Sequence, residues 1–109
     1  MTKSVIYKAL EAYQINLQID SQCNNHSELN TIYQYKEYLE NGGKETDEWL
    51  KSNWLILSRA VEYYRKYLRD EIDDAKITFD NDKLNNLRFE YQCLQKYIIL
   101  FKEFRKFIV

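Results

Sequence analysis

The chain has 109 residues, no proline and two glycines, the adjacent Gly42 and Gly43, and its formal charge is −1. That length holds a single core, and so few chain breakers exclude collagen-like, low-complexity and turn-rich β architectures. A hydrophobic content of 45%, with ten Tyr, five Phe and two Trp, excludes disorder, and the near-neutral charge excludes a global field drawing the chain onto nucleic acid or an anionic membrane.

The first helix is predicted from about Ser4 to Gln18, where Ile6, Leu10, Tyr13 and Leu17 fall on one face. Asp20 to Asn25 reads as a polar loop. The second helix opens on Asn25 or Ser27 as N-cap, with Glu28 early in the helix. Its stripe is Leu29, Ile32, Tyr35 and Leu39, and it stops at Asn41-Gly42-Gly43, where glycine tolerates the positive φ of a helix C-terminus. The third helix starts near Thr46, whose hydroxyl caps while Asp47 and Glu48 complement the helix dipole. Its seam runs Leu50, Trp54, Leu57, Val61, Tyr64, Leu68, Glu71 beside Ile72, and Ala75, a heptad pattern with one polar interruption. Phe79-Asp80-Asn81-Asp82 breaks it. The fourth helix carries a second heptad seam of Leu84, Leu87, Tyr91, Leu94, Ile98, Phe101, Arg105 and Ile108.

An antiparallel hairpin turning near Phe79 pairs these seams, Ala75 with Leu84, Leu68 with Tyr91, Val61 with Ile98 and Trp54 with Arg105. In that register the Arg105 guanidinium lies over the Trp54 indole, which accounts for a charge in an apolar seam. Each long helix also has a second apolar stripe and therefore needs a further neighbour. The expected architecture is a single all-α domain over 1–109. It is a four-helix bundle in which two short N-terminal helices pack on a long hairpin of about 46–78 and 82–108. The short pair is too short to cover the whole hairpin. Helix two, turning straight into helix three, covers the half near Trp49 and Phe104 and leaves the distal half around Tyr63, Tyr67, Phe89 and Tyr91 partly open.

That distal half is the candidate partner-binding surface, because exposed aromatic patches on globular proteins mark interfaces; the alternative is that helix one swings across and buries these rings, or that the tyrosines simply edge the surface. Beyond it, Asp70, Glu71, Asp73, Asp74, Asp80 and Asp82 form an acidic tip, read either as a solvated end of the hairpin or as a surface suited to a basic partner. Lys66 with Asp70 and Arg69 with Asp73 are spaced to neutralise part of it. Without a calcium-loop pattern, a glycine for the sharp turn or a nearby histidine, the tip is not read as a metal site. In Tyr63-Tyr64-Arg65-Lys66-Tyr67-Leu68-Arg69 bases alternate with aromatics, but helical geometry turns Tyr64 and Leu68 inward and sets Arg65 beside Glu62, so nucleic acid is not the expected partner. The apolar run Tyr97 to Phe101 continues the heptad and is read as core, not as a membrane face.

No residue set carries catalysis or a cofactor. His26 is the only histidine, Cys23 lies in a polar loop, and there is no CxxC, HExxH or phosphate-cradling glycine loop. Two cysteines, no membrane-length apolar run and charged residues within the first 25 positions suggest a reduced, cytoplasmic protein. Forty residues are Asn, Lys, Ile or Tyr against eleven Ala, Gly, Arg or Pro, a balance expected of an AT-rich bacterial, phage or mobile-element source. The expected role is a non-enzymatic inhibitor, immunity-type factor or accessory regulator that docks on a protein; the alternative is a structural homodimer or assembly subunit, in which two half-covered hairpins bury each other.

Overall fold

The computed structural model describes residues 3–19 and 26–108. These are 88% helical, with no strand, in five helices: α1 Val5–Ile19, α2 His26–Glu40, α3 Asp47–Ser52, α4 Trp54–Ile77 and α5 Asn81–Ile108. The all-α bundle is as expected.

The first helix begins where Ser4 Oγ accepts the Tyr7 amide proton at 3.2 Å, closing an N-terminal turn. Its apolar face is deeply covered, with Ile6, Ala9 and Leu10 fully buried. Each of the two larger side chains contributes roughly 1.5–3 kcal/mol by leaving water. The second helix is thinner in packing: Ile32 is its single buried residue, and Tyr35 and Tyr38 hold Trp49 between them, at 5.7 Å edge-on and 4.8 Å stacked. Its Asn25 cap lies outside the described residues.

The helix expected over 46–78 is divided. Thr46 caps as predicted, its hydroxyl accepting the Trp49 amide at 3.1 Å, but the chain bends at Asn53. There the Asn53 amide and its side-chain Nδ2 both donate to the Trp49 carbonyl, at 3.2 and 2.8 Å, and the backbone moves to φ −117°, ψ 18°. A side-chain amide competing for a helix carbonyl is the local cause of the bend. The seam survives it, with Leu50, Leu57, Val61, Tyr64, Leu68 and Ala75 all buried.

α4 and α5 form the hairpin and the largest interface, and Val61 and Ile98 line one depression with Trp54 and Arg105, in the expected register. Arg105 itself is solvent-exposed, and the cations found over rings among the described residues are Lys3 and Lys36, both over Tyr7. At the open end of the hairpin a long guanidinium reaches water, so the predicted stacking on Trp54 does not form.

The second-largest interface is α1 on α4. The first helix, more than the second, roofs the hairpin: Tyr13 meets Tyr63 at 6.0 Å between ring centres, and Lys8 reaches Glu90 of α5 at 3.3 Å. Four tyrosine hydroxyls then tie elements together by donating to carboxylates. They are Tyr7 to Glu40, Tyr13 to Glu28 (2.8 Å), Tyr64 to Glu90 (2.6 Å) and Tyr97 to Glu45 (2.6 Å). A neutral donor on an ionised acceptor forms one of the stronger side-chain bonds, and it brings a ring into the packing.

Candidate functional site

The three residues linking α4 to α5 are fully specified by hydrogen bonds. The Asp80 amide donates to the Ala75 carbonyl at 3.1 Å and the Phe79 amide to the Lys76 carbonyl at 3.4 Å, the paired bonds of a Schellman helix stop. The Thr78 hydroxyl donates to the carbonyls of Asp74 and Ala75 at 3.2 and 3.3 Å. Asp80 then opens α5, its carboxylate accepting the Lys83 amide at 3.1 Å. This geometry requires positive φ at residue 79, and Phe79 supplies it at +59°, the only non-glycine residue to do so among those described. A bulky side chain in that region is strained by roughly 1–2 kcal/mol.

The ring gains nothing from the fold in return. Phe79 is 86% exposed, and Ile77 at the end of α4 and Phe89 on α5 are 74% and 70% exposed. Phe89 lies about 12 Å along α5 from the turn. Asp73 and Asp74 in the last turns of α4, Asp80 in the link and Asp82 in the first turn of α5 are also exposed. Glu71 is held by Lys83 at 3.3 Å. Comparison with family models, with curated proteins and with solved structures finds no match to this chain. The surface must therefore be read from its own chemistry.

The residues singled out from sequence do not form one patch. Tyr63 and Tyr67 line a groove of about 480 Å3 between α1 and α4, beside Ala12, Ile15 and Lys8. Tyr63 is half-buried there against Tyr13, because α1 crosses this part of the hairpin. Tyr67 stays exposed and stacks on Tyr64 at 5.8 Å. Phe89 is open, whereas Tyr91, two residues on and turned to the opposite side of the helix, is half-buried against the core. Asp70 and Asp73 sit in a shallow depression with Arg65, Lys66 and Arg69. The ion pairs formed nearest to it are Arg65 with Glu62 (3.0 Å) and Lys83 with Glu71, not the expected pairs to Asp70 and Asp73. Asp74 is exposed, and its carbonyl takes the Thr78 hydroxyl.

Sequence reasoning passed over Ile77 and Phe79. The available signal was a helix stop without glycine, in which an aromatic residue directly precedes the turn-forming run Asp80-Asn81-Asp82.

Chemistry elsewhere is sparse. His26 is exposed, Cys93 is a half-buried free thiol, and Cys23 lies outside the described residues. Among the described residues no group of three or more His, Cys, Asp or Glu is placed to hold a metal, and no helix is long and apolar enough to cross a membrane. The strongly perturbed groups are the tying tyrosines. The Glu40 hydrogen bond, then burial, pushes Tyr7 up to about 12. Burial, then Glu28, does the same for Tyr13, and burial with Glu90 and Glu45 raises Tyr64 and Tyr97 further. Phenols held neutral in this way fasten one element to another through the carboxylates that accept from them.

Proposed function

We propose that this protein works as a non-enzymatic docking module, an inhibitor or accessory regulator that occupies the surface of a protein partner with the tip of its α4–α5 hairpin. Phe79 is the anchor, Ile77 and Phe89 widen the apolar contact, and the carboxylates around them meet a basic rim on the partner. One observation carries this reading: a phenylalanine keeps a strained backbone position that glycine fills at lower cost, while its ring is 86% exposed. Strain retained at an exposed side chain is accounted for by what the side chain does outside the fold. Aromatic anchors ringed by charge are the usual centre of such contacts. The same acids disfavour the alternative of a homodimer joined tip to tip, since two copies would bring like charges together.

The test is a photo-crosslinking side chain placed at position 79, with position 34 on the exposed side of α2 as control, in cells of the source organism. An adduct with one protein that forms at 79, is absent at 34 and disappears in competition with excess wild type but not with Phe79→Gly supports docking. Equal adducts at both positions overturn it. A concentration-dependent dimer in light scattering that Phe79→Gly abolishes would instead favour self-association.

A further inference from the structure

At the end of the molecule away from the tip, the start of α1 and the link from α2 to α3 enclose a cleft of about 520 Å3, within the size range of small-molecule sites. Tyr7, Leu39 and the Gly43 backbone form its apolar side, and Glu40, Lys44 and Glu45 its polar side. The two carboxylates are unusual in this protein. Glu11, Glu28, Glu71 and Glu90 each hold a lysine or arginine, Lys3, Arg59, Lys83 and Lys8 respectively. Glu40 and Glu45 instead receive only neutral phenol hydroxyls, from Tyr7 and Tyr97. Glu45 Oε2 takes the Tyr97 proton at 2.6 Å, while Glu45 Oε1 is buried and receives no hydrogen bond. A buried acceptor left without a donor is costly and calls for an explanation.

Lys44 also lines the cleft, but among the described residues no lysine or arginine forms an ion pair with Glu45 or Glu40. Lys3, at the cleft edge, is drawn to Glu11 at 3.1 Å and over the Tyr7 ring at 5.2 Å; Lys36 also lies over that ring, at 5.3 Å, and donates to Gln14 at 2.8 Å. The Tyr7 face thus already attracts positive charge.

We propose that this cleft is a binding site for a small organic cation, a protonated amine on an apolar body, whose ammonium is received by Glu45 and Glu40 and whose body packs on Tyr7 and Leu39. Receiving the ammonium requires the Glu45 carboxylate to turn so that Oε1, buried in the free protein, faces the cleft. This site is independent of the hairpin tip, so each reading stands or falls alone.

The experiment is an amide NMR titration of the full chain with 2-phenylethylammonium, with 2-phenylethanol and 3-phenylpropanoate as neutral and anionic counterparts. Saturable shifts at Gly43, Lys44 and Glu45 are expected for the ammonium at concentrations up to about 20 mM, in the weak range of a fragment. The two counterparts should bind at least roughly tenfold more weakly, as the loss of a charge-assisted bond implies. Glu45→Gln, which still accepts from Tyr97, should weaken the ammonium by a similar factor; should that variant not fold, Glu40→Gln serves the same purpose. No saturable shift, equal binding of the three compounds, or an unchanged affinity in the folded variant overturns the proposal.

Discussion

The links after α2 and after α4 close with the same two backbone hydrogen bonds and opposite side-chain solutions. After α2, Gly43 donates to the Tyr38 carbonyl at 2.8 Å and Gly42 to the Leu39 carbonyl at 3.2 Å, with Gly42 at φ +87°. After α4, Asp80 and Phe79 repeat the pattern with a phenylalanine at φ +59°. The first link lies against the packed body of the protein, where Tyr38 stacks on Trp49 and donates to the Lys44 carbonyl at 2.7 Å. The second stands in water with its ring exposed. In the first link glycine removes the strain; in the second the strain remains, and the proposed docking role accounts for it.

The largest expected effect separates the two ends by pH. Tyr7, Tyr13, Tyr64 and Tyr97 are all raised above their unfolded value of 10.0, Tyr7 and Tyr13 to about 12. The neutral phenol is favoured by the fold, so its stabilisation is complete below pH 10 and is lost as pH rises through about 12. Denaturant midpoints measured between pH 8 and pH 12 should fall steeply above pH 10. Tyr7→Phe with Tyr13→Phe should flatten that slope. Phe79→Gly should leave it unchanged, because none of these bonds lies in the second link.

Next in size is Gly43→Ala. A Cβ there would lie 2.5 Å from the Tyr38 carbonyl oxygen and 2.6 Å from its ring, so the stack on Trp49 must move. A loss of about 2–3 kcal/mol is expected from overpacking, read by chemical denaturation. At Gly42 nothing lies within 4 Å of an added Cβ, and only the positive φ opposes it. Gly42→Ala should therefore cost about 1 kcal/mol. Phe79→Gly is the mirror experiment and should stabilise the chain by about 1 kcal/mol while removing the proposed docking anchor. A destabilised Phe79→Gly would mean that the ring supports the fold, and the contrast between the links would fail.

Much of this architecture is legible in the residues themselves. Two heptad seams in one register give the hairpin, Thr46 gives a helix start, and Gly42-Gly43 gives a stop, because each depends on neighbours in the chain. The bend at Asn53 was hidden because an asparagine inside a helix pattern is tolerated, and its competition for the Trp49 carbonyl shows only once both atoms are placed. The candidate surface was half legible. The open distal end was foreseen, and Tyr67 and Phe89 are exposed as expected, but Tyr63 lies under α1 and Tyr91 against the core. Periodicity gives the face a residue occupies on its own helix, not which other helix crosses that face.

The helical class, the pairing of the long helices and the need for glycine in one link all follow from the residues alone. These are consequences of apolar spacing and of local backbone preference, which act over a few residues. Only the tertiary structure decided that α1 roofs the hairpin, that Phe79 is held in left-handed geometry with its ring in water, and that Glu40 and Glu45 face one cleft. Each depends on closing the chain over long separations, where packing of the whole core outweighs the preference of any single residue.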